Sequence, residues 1–158
     1  HAYDLKHLDR IPRRYTVESG KLLADQWDLV PDSGQYAVEV FGPNGYFRSF
    51  SGDSRTDEPE VVASYDERKA AIRLVFHNPA SSATEVTVYS DVYKSVQPTE
   101  VQIPGHGKAT LSFACEANGN WYDLTVIRRS AGEYRRRLAG RIETGNHSIS
   151  DPAMAANL

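Results

Sequence analysis

Tyr36-Ala37-Val38-Glu39-Val40-Phe41 and Tyr122-Asp123-Leu124-Thr125-Val126-Ile127 decide how this chain folds. Each places large apolar side chains at every second position, the period of a strand with one face on a core and one towards water. What surrounds them also recurs, in the same order and at a nearly constant offset. Tyr3 and Pro12 return as Tyr89 and Pro98, Gly20-Lys21 as Gly107-Lys108, and Tyr46, Arg48, Phe50 and Gly52 as Tyr134, Arg136, Leu138 and Gly140. Self-similarity at a fixed spacing is the mark of a repeated unit, and the second copy is longer at its front: the counterpart of Ser54 to Val88, roughly 35 residues, has no place before His1.

Working outward, the same alternation appears in Ala71-Ile72-Arg73-Leu74-Val75-Phe76 and Glu85-Val86-Thr87-Val88-Tyr89. Turn formers that supply a fixed or positive φ separate the runs: Gly42-Pro43-Asn44-Gly45, Asn78-Pro79, Pro104-Gly105-His106-Gly107 and Asn118-Gly119-Asn120. Only Glu67-Arg68-Lys69-Ala70 and Ala153-Met154-Ala155-Ala156 have helix-favouring composition, and both are too short to stand alone. The expected fold is all-β, an immunoglobulin-like antiparallel β-sandwich, with strands near 60–65, 70–77, 84–91, 99–103, 108–115, 121–128 and 133–143. A truncated copy of the same module stands at the N-terminus, with four or five of its strands left.

The expected division is 1–53 for the truncated module, 54–60 for a linker without large apolar side chains, 61–154 for the complete module and 155–158 for a tail. A module cut in this way leaves a free sheet edge and an open core face, which drive pairing with another chain, and so a homodimer through the truncated unit is an expectation.

Composition narrows the function classes. A formal charge of −3, with 40% hydrophobic and 25% charged residues, is that of an ordinary globular domain and gives no global attraction to nucleic acid. Cys115 is the single cysteine, so no internal disulfide forms, and its place at the end of an apolar run reads as a buried strand thiol. The five histidines, His1, His7, His77, His106 and His147, have no metal-ligand spacing. No nucleophile elbow occurs, and Gly105-His106-Gly107-Lys108 joins two strands, so it lacks the helix N-terminus of a phosphate loop. No catalytic residue, metal or cofactor is assigned. Asp57, Glu58 and Glu60 read as solvated linker acids, and Asp123 as a solvent-facing strand residue.

Arg128, Arg129, Arg135, Arg136 and Arg137 form the densest basic cluster. Strand alternation sends Arg135 and Arg137 to one face and Arg136 to the other, with no long side chain forced inward. One reading is a solvated edge guarded by charge. The functional reading is a surface for anionic lipid headgroups, with Arg135 and Arg137 as cations and Trp121 and Tyr122 as aromatic contacts.

Pro12-Arg13-Arg14-Tyr15-Thr16-Val17-Glu18-Ser19-Gly20-Lys21, the run from Tyr36 through Gly42-Pro43-Asn44-Gly45-Tyr46-Phe47-Arg48 to Gly52-Asp53, and Gly119-Asn120-Trp121-Tyr122-Asp123-Leu124-Thr125-Val126 carry a family resemblance. So do Arg136-Arg137-Leu138-Ala139-Gly140-Arg141-Ile142-Glu143-Thr144-Gly145 and Ser148-Ile149-Ser150-Asp151-Pro152-Ala153-Met154. Across nearly its whole length the chain resembles the C-terminal region of bacterial phosphocholine-preferring phospholipase C. That resemblance implies a Tat-exported, secreted or periplasmic enzyme that cleaves phosphatidylcholine or sphingomyelin through an N-terminal catalytic domain, followed by two small C-terminal domains. It places no catalytic residue in this chain. The matched motifs then read as structural, with Trp121-Tyr122 filling a core. The implied partners are the N-terminal catalytic domain and a phospholipid surface, and the role is surface attachment or support of the catalytic domain. A carbohydrate- or protein-binding sandwich that stacks ligands on Tyr36, Trp121 and Tyr122 is the alternative.

Overall fold

The structure, a computed structural model, describes residues 1–129 and 133–155, so most of the expected tail 155–158 lies outside it. Among the described residues the chain is built of ten strands and three short 3-10 turns. The strands are β1 (Ala2–Asp4), β2 (Gln35–Phe41), β3 (Phe47–Asp53), β4 (Glu60–Asp66), β5 (Ala71–His77), β6 (Thr84–Tyr89), β7 (Thr99–Ile103), β8 (Lys108–Ala114), β9 (Trp121–Arg128) and β10 (Arg135–Arg141). Among the described residues no helix is long and apolar enough to cross a membrane.

Two antiparallel sheets form a sandwich: seven strands in the order β1-β2-β3-β10-β9-β6-β7, and three in the order β4-β5-β8. Period-two patterning explains the facing surfaces. Ile72, Leu74 and Phe76 of β5 are fully buried, as are Val86 and Val88 of β6 and Val126 of β9, while Leu124 and Leu138 are nearly so. Leu111 and Phe113 of β8 pack against this cluster from the rim. Cys115 is buried directly after β8, and its environment raises the thiol pKa to about 11. At Gly42-Pro43-Asn44-Gly45 the reversal is closed by the Gly42 and Tyr46 amides, with Asn44 at φ 54° and Gly45 at φ 71°. A side chain on Gly45 would also meet the Trp121 ring at 2.6 Å. Glycine there serves both a backbone conformation and a close approach.

The first hairpin does not end in a free edge on its β3 side. β3 pairs antiparallel with β10, Arg48 opposite Leu138, Phe50 opposite Arg136 and Ser49 opposite Arg137, so one ladder runs across the whole large sheet. The registers on either side mirror one another. Tyr36 lies opposite Gly52 and Val38 opposite Phe50 in one hairpin; Tyr122 lies opposite Gly140 and Leu124 opposite Leu138 in the other. Further out, Ala2 faces Val40 as Val88 faces Val126. Of the four or five strands expected to remain before residue 54, three form; residues 14–29 contain none.

The small sheet covers only one half of the large one. Tyr122, Leu124, Val126 and Leu138 are buried beneath it, whereas Val38, Val40 and Phe50, on the same face beyond it, stay half-exposed.

Candidate functional site

The polar chemistry concentrates on the inner face where β3 meets β10. Arg48 and Arg136 both point inward and are 6% and 9% exposed. Sequence parity assigned Arg136 to the face opposite Arg135 and Arg137, which holds, but that face is the interior. The expectation that no long side chain is driven inward is therefore corrected. A buried guanidinium is tolerated only when its donors are satisfied, and here the terminal nitrogens of both find acceptors in the two hairpins, in β4 and in the loop before it.

Arg136 Nη2 donates to a Glu58 carboxylate oxygen at 3.0 Å and to the Tyr36 hydroxyl, while Nη1 donates to the Ser51 carbonyl at 2.6 Å. The Tyr36 hydroxyl in turn donates to Glu58. Arg48 answers in kind: Nη2 donates to the Tyr122 hydroxyl at 3.0 Å and to that of Tyr65 at 2.5 Å, and Nη1 to the Ala139 carbonyl at 2.9 Å. Each guanidinium also lies over a tyrosine of its own hairpin, Arg48 4.2 Å from the centroid of Tyr46 and Arg136 4.3 Å from that of Tyr134. The two clamps are reciprocal, each arginine reaching the tyrosine at the start of the other hairpin.

Glu58 is the residue whose reading changes most. Its carboxylate, expected in solvent, is 10% exposed; beyond Arg136 and Tyr36 it accepts the Asp53 amide at 2.7 Å. Pro59 accepts the Tyr134 hydroxyl at 2.8 Å. Residues 54–59 are thus tied to β10 by a buried ion pair and a buried hydrogen bond. Burial raises the pKa of Tyr36 and Tyr122, with the Glu58 and Tyr65 hydrogen bonds adding to it, and pushes Tyr134 up to about 12. All three stay protonated donors at neutral pH.

The four residues singled out as lipid contacts are not brought together. Trp121 lies opposite Arg141 and Arg135 opposite Ile127, which puts roughly 20 Å of strand between them. Tyr122 faces the interior and is buried, so of the Trp121-Tyr122 pair one member fills the core. Trp121 is on the outer face, its Nε1 donating to the Ile149 carbonyl at 3.0 Å. Arg137 forks onto Asp123, Nε to one oxygen at 3.0 Å and Nη2 to the other at 2.7 Å. Asp123 is 6% exposed, which corrects its reading as a solvent-facing acid. Arg135 is exposed and lies 3.4 Å from Asp91.

Arg137→Ala removes both of those bonds and leaves the Asp123 carboxylate buried without its partner. The expected loss is about 2 kcal/mol in urea unfolding, with an unchanged denaturant slope. Arg135→Ala, at an exposed pair, should change stability by less than about 0.5 kcal/mol.

Among the described residues no three His, Cys, Asp or Glu side chains gather as metal ligands. His77 ends β5 and makes no side-chain hydrogen bond among the described residues; the turn after it is held by Asn78, whose amide donates to the Ser82, Ile103 and Pro104 carbonyls.

A family model described as the bacterial phospholipase C C-terminal domain matches residues 1–53 and 59–141. Among curated proteins, a non-hemolytic phospholipase C of Pseudomonas aeruginosa is 33% identical over 97% of this chain, and one of Burkholderia pseudomallei is 32% identical over 91%. A hemolytic phospholipase C of Pseudomonas aeruginosa is 33% identical over 90%. The alignments cover 23%, 21% and 22% of those proteins, so the chain spans less than a quarter of the length of these relatives.

Proposed function

Because the chain belongs to the bacterial phospholipase C C-terminal domain family, we propose that it is the non-catalytic part of a secreted or periplasmic phospholipase C and acts as a rigid brace for the catalytic domain. In this reading an N-terminal domain outside this chain hydrolyses phosphatidylcholine or sphingomyelin. The β-sandwich described here supports that domain and does not itself grip lipid.

The observation that favours support over attachment is the state of the basic cluster. A headgroup site needs cations free to exchange a water shell for phosphate, each contributing about 1 kcal/mol near an anionic surface. Arg137 is instead forked on Asp123, Arg136 is spent inside the sandwich on Glu58, and Arg135 faces Asp91. The aromatic partners are spent too, Tyr122 in the core and Trp121 on a backbone carbonyl. The stacking platform of the alternative reading disperses for the same reason: the Tyr36 and Tyr122 hydroxyls are engaged by buried arginines, and both rings lie on the inner face.

Co-sedimentation of the chain with vesicles of phosphatidylcholine, with and without phosphatidylserine, tests this at low and physiological salt. The brace reading expects no binding in any arm, and removal of the region from the intact enzyme should shorten its thermal half-life while leaving turnover of a soluble phosphocholine ester. Salt-sensitive binding to the anionic vesicles that is lost in an Arg135→Glu, Arg137→Glu double variant would instead establish attachment.

A further inference from the structure

Aromatic surface does gather on this molecule, on the outer face of the large sheet. Strand parity puts Glu39 and Phe41 of β2, Phe47 and Ser49 of β3, and Arg137 and Ala139 of β10 on that face, and the registers align them in two rows. One row is apolar, with Phe41 opposite Phe47 and Phe47 opposite Ala139. The other is polar: Tyr3 lies opposite Glu39, Glu39 opposite Ser49, and Ser49 opposite Arg137. Two residues along a strand separate the rows, about 7 Å. A shallow cleft of about 480 Å³ spans both, with Glu39 and Arg137 from one row, Phe41 and Phe47 from the other, and Gly42 and Gly45 adding no side chain at its rim.

Both rows carry capacity that the fold leaves unused. Tyr3 and Phe41 meet edge to face with centroids 5.7 Å apart, and Phe41 and Phe47 lie 4.9 Å apart, yet Phe41 stays 46% exposed and Tyr46, just past the turn, 41%. In the polar row the half-buried Glu39 carboxylate and the Ser49 hydroxyl make no side-chain hydrogen bond among the described residues. Arg137 spends Nε and Nη2 on Asp123, which leaves Nη1 without an acceptor among the described residues.

These groups select a ligand by elimination. An apolar partner would strand the Glu39 carboxylate and the Arg137 nitrogen as it excluded water, at a cost in free energy. A cation suits Glu39 and is repelled by Arg137, and an anion meets the reverse. The two charges oppose one another across the cleft, so an uncharged ligand suits it best. Acceptor, hydroxyl and donor are satisfied together by a ring that carries hydroxyl groups on its rim, since each hydroxyl both donates and accepts. The C–H bonds on the face of such a ring present the slight positive charge that the negative face of an aromatic side chain attracts.

We propose that this outer face binds a neutral glycan, one pyranose ring stacked on Phe41 with its hydroxyls shared among Glu39, Ser49 and Arg137 Nη1. The site is distinct from Tyr36 and Tyr122, whose rings lie on the inner face. It does not rest on the brace reading, and failure of either leaves the other standing.

Titration of isotope-labelled chain 1–158 with maltotriose, cellotriose and triacetylchitotriose, followed through amide chemical shifts, is the test. At least one of these sugars should shift the amides of residues 39–41 and 47–49 saturably and leave those of β5 and β8 in place. Phe41→Ala and Glu39→Ala should each weaken that binding by at least roughly tenfold, with the remaining spectrum unchanged. The shift map of the unaltered chain decides the matter even where a variant fails to fold. No saturable shift with any of the three sugars at millimolar concentration would overturn the proposal and leave the aromatic row as cross-strand packing alone. Shifts confined to other surfaces would overturn it as well. So would a response of residues 39–41 and 47–49 to tetramethylammonium and to none of the sugars, since the aromatic rings would then form a cation cage.

Discussion

Glu58→Ala is expected to destabilise the chain by about 3–5 kcal/mol, the cost of leaving a buried guanidinium without its carboxylate. The loss has three parts in the structure. Arg136 keeps the Tyr36 hydroxyl and two backbone carbonyls but loses its counter-charge; Tyr36 loses its acceptor; and the Asp53 amide at the end of β3 loses its bond. Urea unfolding measures it, and a typical domain of 5–15 kcal/mol has little margin for such a loss. Glu58→Gln keeps the shape and some of the acceptors and should recover part of the stability, because charge-assisted bonds are roughly twice as strong as neutral ones. The double variant Arg136→Met, Glu58→Met should be less harmful than Glu58→Ala, since removing both partners strands no charge. A Glu58→Ala loss below about 1 kcal/mol would mean that the pair is open to solvent.

Alkaline unfolding is the second large effect. Burial holds the Tyr134 hydroxyl protonated until about pH 12, against about 10 in the unfolded chain. The folded state therefore binds the extra proton between those values, and stability falls as pH rises through the window. It is fully present below pH 10. Tyr134 alone contributes a slope of about 1.4 kcal/mol per pH unit across the interval. Tyr36, Tyr93 and Tyr122 are shifted upward by the same dominant cause, and Cys115, raised to about 11, adds a parallel loss beginning at lower pH. A loss of more than about 3 kcal/mol between pH 9.5 and 12 is expected, read from urea midpoints along the pH axis. In Tyr134→Phe the slope above pH 10 should be shallower by Tyr134's share.

Period-two alternation made the strands legible. β4 to β10 fall within a few residues of the runs marked by apolar alternation and by turns such as Asn78-Pro79 and Asn118-Gly119-Asn120. Side-chain parity carried as far as it could: Arg135 and Arg137 do share a face opposite Arg136. What parity cannot supply is which face is inside at a given strand, because that depends on partners brought from far along the chain. Arg136 turns inward because Glu58 and Tyr36 meet it there, contributed by the loop before β4 and by β2. Asp123 is buried because Arg137, a diagonal neighbour across the β9–β10 ladder, closes over it. Trp121 shares the parity of Asp123 rather than that of Leu124, which was enough to place it on the outer face; reading Trp121-Tyr122 as a unit obscured that. The union of β3 with β10 had no local signal at all, since a ladder between strands so distant in sequence is fixed only by tertiary packing.

The recurring anchors acquire a physical meaning in the clamps. Tyr36 and Tyr122, Arg48 and Arg136, and Tyr46 and Tyr134 are the parts of two reciprocal locks, each crossing from one hairpin to the other. Gly140 lies under the Tyr122 ring, where a side chain would come within 2.8 Å of its hydroxyl. A lock of this kind resists separation of the hairpins, the mechanical property that a brace requires.

The most direct test of the account is whether β3 and β10 of one molecule are neighbours. In a sample mixing isotope-labelled and unlabelled chain 1–158, nuclear Overhauser contacts between Phe47–Ser51 and Arg135–Ala139 should arise within single labelled chains, in the registers Arg48 to Leu138 and Phe50 to Arg136. Contacts that appear only between labelled and unlabelled chains, or none between these strands, would contradict it.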